Sequence, residues 1–157
     1  MAYKYSYQNF DKETMAKAFG SNLSISLKKS VEVANYIKGK KVSSVINFLE
    51  RVVEQKAVVP YKRYRAEMPH KRGKGIDSGG YPVNVAKEFL RLIKSAQSNA
   101  KEASKDGEMY LISVSARKGV QRYHAGRYFG RKMKATNVEI ILGPKKNESK
   151  KKSEVKA

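Results

Sequence analysis

The chain has 157 residues, and its 34 Lys and Arg against 14 Asp and Glu give a formal net charge of +20. This length favours one domain, and 40% apolar residues suffice for a modest core, which argues against wholesale disorder and against a large multi-domain enzyme. Such a charge attracts polyanions, so nucleic acid is the first candidate partner; a membrane is disfavoured because no uncharged apolar stretch approaches the roughly 20 residues of a spanning helix.

Apolar residues recur at helical spacing in three segments. The first, residues 27–37, ends before Gly39, a residue that favours a helix stop. The second, residues 42–53, repeats apolar side chains at i, i+3, i+4 and i+7 and ends before Pro60. The third, residues 82–96, starts with a proline, which suits the first helical turn. We expect three helices, the first two paired as a helical hairpin.

After Gly107 the apolar period changes to simple alternation, which is typical of half-buried strands. The residues predicted to face inward are Tyr110, Ile112, Val114 and Ala116 on one strand, and Val138, Ile140 and Leu142 on its partner. A third strand is predicted at residues 22–26, with Leu23 and Ile25 inward. The predicted fold class is therefore α+β, with three helices packed on a small antiparallel sheet.

The connection between the last two strands is strongly basic. Residues 117–134 hold seven Lys and Arg and no acid, so the segment cannot be buried and must lie on the surface of the body or project from it. If both strands continue outward, about nine residues per arm at roughly 3.3 Å each give a ribbon of about 30 Å. We expect a long protruding basic β-hairpin within one domain, residues 1–144, followed by a flexible Lys-rich tail, residues 145–157.

Cations alternate with aromatic rings in this hairpin. Guanidinium groups bind phosphates bidentately, while rings and Arg planes stack on unpaired bases, and together these properties favour RNA recognition. The candidate binding residues are Arg117, Lys118, Arg122, Tyr123, His124, Gly126, Arg127, Tyr128, Phe129, Arg131, Lys132 and Lys134. A flexible basic loop without a defined ligand is the alternative, although a solvated loop normally mixes acids with bases.

A second segment, residues 61–75, also combines Lys, Arg and Tyr, and its prolines and glycines indicate a loop. Its candidate RNA-binding residues are Lys62, Arg63, Tyr64, Arg65, His70, Lys71, Arg72 and Lys74. We expect His70 and His124 to hydrogen-bond phosphate or to lie exposed, not to bind a metal. Gly73-Lys74-Gly75 lacks the spacing of a nucleotide-binding phosphate loop.

The sequence offers no motif for catalysis. Because it has no cysteine, disulfides, thiolate zinc sites and a cysteine nucleophile are excluded. The acids are scattered along the chain, and Glu32 and Glu50 are interpreted as solvated helix residues. We expect no enzyme, no metal and no cofactor; an RNA-modifying enzyme would need a cofactor pocket beside a buried acid.

Several short segments resemble, in their order, a known protein family. They are Lys4-Tyr5-Ser6, Ile37-Lys38-Gly39-Lys40, the basic insertion of residues 60–80, Gly80-Tyr81-Pro82, Gly126-Arg127 and Val138-Glu139-Ile140. In this series the chain up to Pro144 is similar to the universal large-subunit ribosomal protein L-twenty-two family, in its archaeal and eukaryotic form.

The resemblance implies a structural constituent of the large ribosomal subunit that binds large-subunit, 23S-type rRNA and supports subunit assembly and translation. It also implies a hairpin, with its tip near residues 122–128, that extends toward the nascent-peptide exit tunnel of the cytoplasmic ribosome. The implied partners are rRNA, neighbouring large-subunit proteins and the nascent peptide, with no membrane and no homo-oligomer. The alternative is an architectural DNA-binding protein that uses a basic β-ribbon.

Overall fold

The computed structural model describes residues 5–73, 75–102 and 107–145. In chain order the elements are β1 (Ala16–Leu23), α1 (Leu27–Ile37), α2 (Val42–Val53), β2 (Val59–Pro60), β3 (Gly79–Gly80), α3 (Val83–Glu102), β4 (Tyr110–Lys118), a 3₁₀ turn (Gly126–Tyr128) and β5 (Thr136–Gly143). The helices pack on a small antiparallel sheet, which confirms the predicted α+β class. Within the described ranges, no helix is long and apolar enough to cross a membrane.

The three predicted helices are present, although α3 extends past Ala96 to Glu102. Beyond the end of α1, Gly39 adopts a left-handed φ of 80°, and its N–H donates to the carbonyl of Leu111 over 2.7 Å. The predicted helical hairpin is wrong in its packing, because α2 packs mainly against α3 and α1 against β4. A contact between the rings of Tyr36 and Phe48, with centroids 4.7 Å apart, links α1 to α2.

The three-stranded sheet has the order β1-β5-β4, so β5 lies in its centre. From Val138 to Leu142 every residue of β5 is at most 3% exposed, because both faces of this strand are covered. Val138, Ile140 and Leu142 join the core beneath the helices. On the opposite face the N-terminal segment covers the sheet, and the backbone N–H of Ser6 donates to Glu139 over 3.0 Å.

The hydrophobic core lies between the helices and the sheet. Its fully buried members include Ile37 of α1, Leu49 of α2, Phe89 and Ile93 of α3 and Ile140 of β5. Burial of each such side chain stabilises the fold by about 1.5–3 kcal/mol. The division into residues 1–144 and a tail stays a prediction, because residues 146–157 lie outside the described part of the chain.

Two details of the predicted strands are wrong. The N-terminal strand spans Ala16–Leu23 and not residues 22–26, and Ile25 is buried beyond its end. In β4 the register shifts between Leu111 and Ser113, so that one extra residue bulges from the ladder. The bulge shifts the alternation by one position, and Leu111 is therefore buried with Val114, whereas Tyr110 and Ile112 are only partly buried.

A long β-hairpin is not confirmed. Regular pairing of β4 with β5 ends at Lys118 and Thr136, and we refer to residues 119–135 as the β4–β5 connection. The connection is held by separate backbone hydrogen bonds, such as Met133 N–H to Arg122 O at 2.7 Å and His124 N–H to Arg131 O at 2.9 Å. Its side chains bury little surface on one another, which leaves a continuous two-stranded ladder without support.

Candidate nucleic-acid interface

The β4–β5 connection presents its side chains to solvent. Every residue from Arg122 to Lys134 is exposed, as are Arg117 and Lys118 at the end of β4. All twelve predicted hairpin residues therefore lie at the surface, as the charge of the segment requires. Exposed cations of this density, with no acid between them, repel one another and favour an anionic partner.

The connection also exposes apolar surface. Five of its large apolar side chains are between 39% and 75% exposed: Val120, Tyr123, Tyr128, Phe129 and Met133. In a monomeric domain such side chains are normally scattered, so their concentration in one segment indicates a binding surface. The surrounding cations argue against an apolar protein partner and for a partner that offers both charge and flat rings.

The rings of the connection are arranged for stacking. Tyr123 and Phe129 lie with centroids 6.1 Å apart and an interplanar angle of 26°. The guanidinium carbon of Arg131 lies 5.1 Å from the ring centre of Tyr128, and Lys132 Nζ lies 5.5 Å from that of Tyr123. Cations beside exposed rings can bind phosphates while the rings stack on bases, which is the chemistry of single-stranded nucleic-acid binding.

The base of the connection is attached to β1 through two asparagines. Asn22 adopts a left-handed φ of 48°, which Asn tolerates better than most residues. Its Oδ1 accepts the N–H of Val120 over 2.9 Å, and its own N–H donates to Asn137 Oδ1 over 2.7 Å. The prediction missed Asn22 as a site residue, since it assigned this position to a strand. The available signal was the run Gly20-Ser21-Asn22, since Asn tolerates positive φ and such residues often end a strand.

A close approach at Gly119 leads to a stability prediction. A Cβ atom at Gly119 would lie 3.1 Å from Asn137 Oδ1 and closer still to Asn22 Oδ1. We expect Gly119→Ala to lower the free energy of unfolding by about 1–3 kcal/mol, because the asparagines must move. Gly130→Ala is the control, since among the described residues nothing lies within 4 Å of the added Cβ. Urea denaturation of both variants measures the difference, and equal stabilities would contradict the prediction.

The second basic segment lies between β2 and β3. Lys62, Arg63, Arg65, His70 and Arg72 are exposed, and Tyr64 and Lys71 are partly buried. Lys74 lies outside the described residues. His70 Nδ1 lies 2.5 Å from Asp77 Oδ1 within the same loop, so this imidazole has a protein partner in addition to its exposure.

Glu32 holds this loop from beneath, and its interpretation as a solvated helix residue is wrong. The side chain is 2% exposed, and its carboxylate accepts three consecutive backbone N–H groups, from Lys62 at 2.9 Å, Arg63 at 2.8 Å and Tyr64 at 2.6 Å. These bonds satisfy the buried charge.

Burial, and then the nearby Glu32 charge, raise the pKa of Tyr61 above its ordinary value. Glu50 is exposed, as predicted.

A cleft near the β4–β5 connection is lined by Tyr81, whose ring contacts Lys71 of the second basic segment. Tyr81, Lys29 and Lys134 line a cavity of about 270 Å³ near the starts of α1 and α3. Lys71 Nζ of the second loop lies 5.5 Å from the ring centre of Tyr81, while Lys134 belongs to the β4–β5 connection. The structure thus places one cation of the second loop beside a ring that lines a cleft bordered by the β4–β5 connection.

The described residues give little support for catalysis. Their two buried carboxylates, Glu32 and Glu139, both accept backbone N–H groups. No group of three or more His, Asp or Glu that could hold a metal ion occurs within residues 5–73, 75–102 and 107–145. A cleft of about 590 Å³ at the base of the connection is lined by three cations, by His124 and by neutral residues, and by no acid; the cations are Arg122, Lys132 and Lys134.

The sequence of residues 18–143 matches the family model described as ribosomal protein L22p/L17e. The chain belongs to this family. It is 38% identical over 146 residues to the large ribosomal subunit protein uL22 of Methanosphaera stadtmanae, an alignment that covers 88% of this chain and 95% of that protein. The proteins of the same name from Methanococcoides burtonii and Archaeoglobus fulgidus are 37% and 34% identical, over 84% and 87% of this chain and 91% and 93% of theirs.

Membership of the L22p/L17e family confirms the resemblance found in the sequence and its archaeal type. The family consists of structural ribosomal proteins, so the chain has a structural role in the ribosome and is not an enzyme. The relatives are named as proteins of the large ribosomal subunit, a cytoplasmic particle, which confirms the predicted location.

Proposed function

We propose that the chain binds large-subunit rRNA through the β4–β5 connection and the loop between β2 and β3, and so stabilises the folded RNA of the subunit. The observation that carries this proposal is the exposure of residues 117–134. Their seven Lys and Arg side chains, without any Asp or Glu, surround a group of exposed aromatic rings. Phosphate contacts position such a protein, and stacking on unpaired bases adds selectivity for folded RNA.

The geometry favours RNA over the alternative of duplex DNA. An architectural β-ribbon inserts a regular two-stranded ladder into a groove. Here regular pairing ends at Lys118 and Thr136, and the cations beyond lie on an irregular segment with a 3₁₀ turn. An irregular surface with exposed rings suits splayed bases and the varied backbone paths of folded RNA better than a uniform groove.

The proposal includes a direction for the connection. In the family order its Gly126-Arg127 corresponds to the hairpin tip, and we place the tip toward the nascent-peptide exit tunnel, with the nascent peptide and neighbouring large-subunit proteins as further partners. The apolar residues of the body are used in its own core, whereas those of the connection are exposed, which supports an insertion role. We expect no membrane partner and no homo-oligomer.

Competition between two nucleic acids tests the rRNA assignment. The full chain is bound to large-subunit rRNA of Methanosphaera stadtmanae at physiological salt, and duplex DNA of equal phosphate content is added. We expect rRNA to be retained, and the binding constant to fall steeply with salt as counterions are released. Preferential transfer to duplex DNA would contradict the proposal and favour the architectural alternative.

A further inference from the structure

The Glu32 carboxylate is a buried negative charge beneath a loop proposed to bind RNA. We infer that Glu32 is a positioning residue, which fixes the start of the basic loop in its RNA-binding conformation before RNA is bound. The inference rests on the proposed function, since it takes the fixed conformation of the loop to serve RNA binding. The sequence analysis had interpreted this residue as solvated.

Three consecutive N–H groups directed at one anion form a concave anion site of the kind that often binds phosphate. In this loop the site of residues 62–64 is filled by the protein's own carboxylate. Bonds from amides to a charged acceptor are short and stronger than neutral ones, so the backbone is held firmly. RNA phosphates must then be met by side chains, and those of Lys62 and Arg63 remain exposed.

The side chains around Tyr64 show how this backbone anchor orders the cations. Lys28, one turn before Glu32 on α1, has its Nζ 5.9 Å from the Tyr64 ring centre, and the guanidinium carbon of Arg63 lies 5.3 Å from the same ring. Tyr61 is 5% exposed, and its N–H donates to Ser78 O over 2.8 Å. The loop start is therefore fixed on two sides, and the cations emerge from an ordered base.

Because Glu32 is negatively charged, a positioning effect on RNA binding can be distinguished from simple repulsion between an acid and phosphates. A negative charge near an RNA-binding loop opposes the approach of phosphates, so removal of any acid should strengthen binding slightly. If Glu32 positions the loop, its removal should weaken binding, because free cations must be ordered when RNA binds. The two explanations predict effects of opposite sign.

The test compares Glu32→Gln with Glu50→Gln, which makes the same charge change at an exposed position of α2. Affinity for large-subunit rRNA of Methanosphaera stadtmanae is measured over a salt series, with folding checked by circular dichroism. We expect Glu32→Gln to bind about tenfold more weakly and to lose about 1–2 from the slope of log affinity against log salt. Glu50→Gln should bind as tightly as the unaltered chain, or slightly more tightly.

A double-mutant cycle separates positioning from general loss of structure. The Glu32→Gln change is repeated in a chain that also carries Lys62→Gln, Arg63→Gln and Arg65→Gln. We expect no further loss there, because the cations through which Glu32 acts are gone. An undiminished loss in this background, or equal binding by Glu32→Gln and Glu50→Gln, would overturn the inference.

Hydrogen exchange of the unaltered chain provides a test that needs neither RNA nor a folded variant. The amides of residues 62–64 should exchange slowly in the free protein, because each donates to the buried carboxylate. Exchange at the rate of an unfolded peptide would overturn the inference and leave the proposed function intact. If the unaltered chain did not prefer rRNA to duplex DNA, that result would instead contradict the proposed function, whatever the exchange rates.

Discussion

Replacement of Arg122, Arg127, Arg131 and Lys132 by glutamine should lower the affinity for large-subunit rRNA by about two to three orders of magnitude at low salt, because the proposed surface would lose four phosphate contacts. The slope of log affinity against log salt should fall by about 3, since each contact contributes about 0.7–0.9. Stability should change little, as the four side chains are exposed. Titration of labelled rRNA at several salt concentrations measures both quantities.

A matched set of cations on α3 provides the control. Lys87, Arg91, Lys94 and Lys101 are exposed, and their replacement by glutamine changes the net charge of +20 by the same amount. If the β4–β5 connection is the binding surface, this set should alter the slope by less than about 1. Equal losses from both sets would mean that the chain attracts RNA through its total charge, and the proposed surface would be wrong.

The largest effect on stability is expected from Phe89→Ala. Phe89 is fully buried on α3, where it packs between the helices and the sheet. Removal of its ring leaves a cavity in a closely packed core, and we expect a loss of about 3–5 kcal/mol in the free energy of unfolding. Since small domains are stable by only about 5–15 kcal/mol, much of that margin would disappear. Urea denaturation at constant salt measures the change.

Phe129→Ala removes the same ring from the surface and serves as the control. Phe129 is 72% exposed in the β4–β5 connection, so its removal creates no cavity. We expect a change in unfolding free energy within about 0.5 kcal/mol, together with weaker rRNA binding through the loss of a stacking surface. Comparable destabilisation by the two substitutions would show that the connection packs more closely than its exposure indicates.

The helices could be predicted well because their information is local. Apolar residues three and four apart define one face of α1, α2 and α3, and the buried apolar residues of each helix cluster on that face, whereas Glu32 of α1 is buried on the other side. The pairing of helices was less accessible. The sequence predicted that α1 and α2 pair as a helical hairpin, yet α2 packs mainly on α3, a partner distant in sequence.

The charged residues of the candidate site were predicted from the sequence, but the residues that hold their backbone in place were not. Residues 117–134 are surface-exposed because burial of so many cations without partners costs too much free energy. Asn22, which bonds Val120, and Glu32, which bonds residues 62–64, were missed. Their partners lie far along the chain, and no local pattern distinguishes a buried Glu from a solvated one on the polar side of a helix.

By itself, the sequence determined the fold class, the helices and the exposure of the basic segments, because amphipathic periodicity and charge are properties of neighbouring residues. The family followed from the order of its short segments, which resembles that of known relatives. The tertiary structure decided the central place of β5, the bulge after Leu111 that exchanges inward for outward residues, and the end of regular pairing at Lys118. It also decided that the Glu32 carboxylate is buried and accepts the backbone N–H groups of residues 62–64. These features depend on which distant segments share a hydrogen bond or exclude water, and only the folded chain brings those segments together.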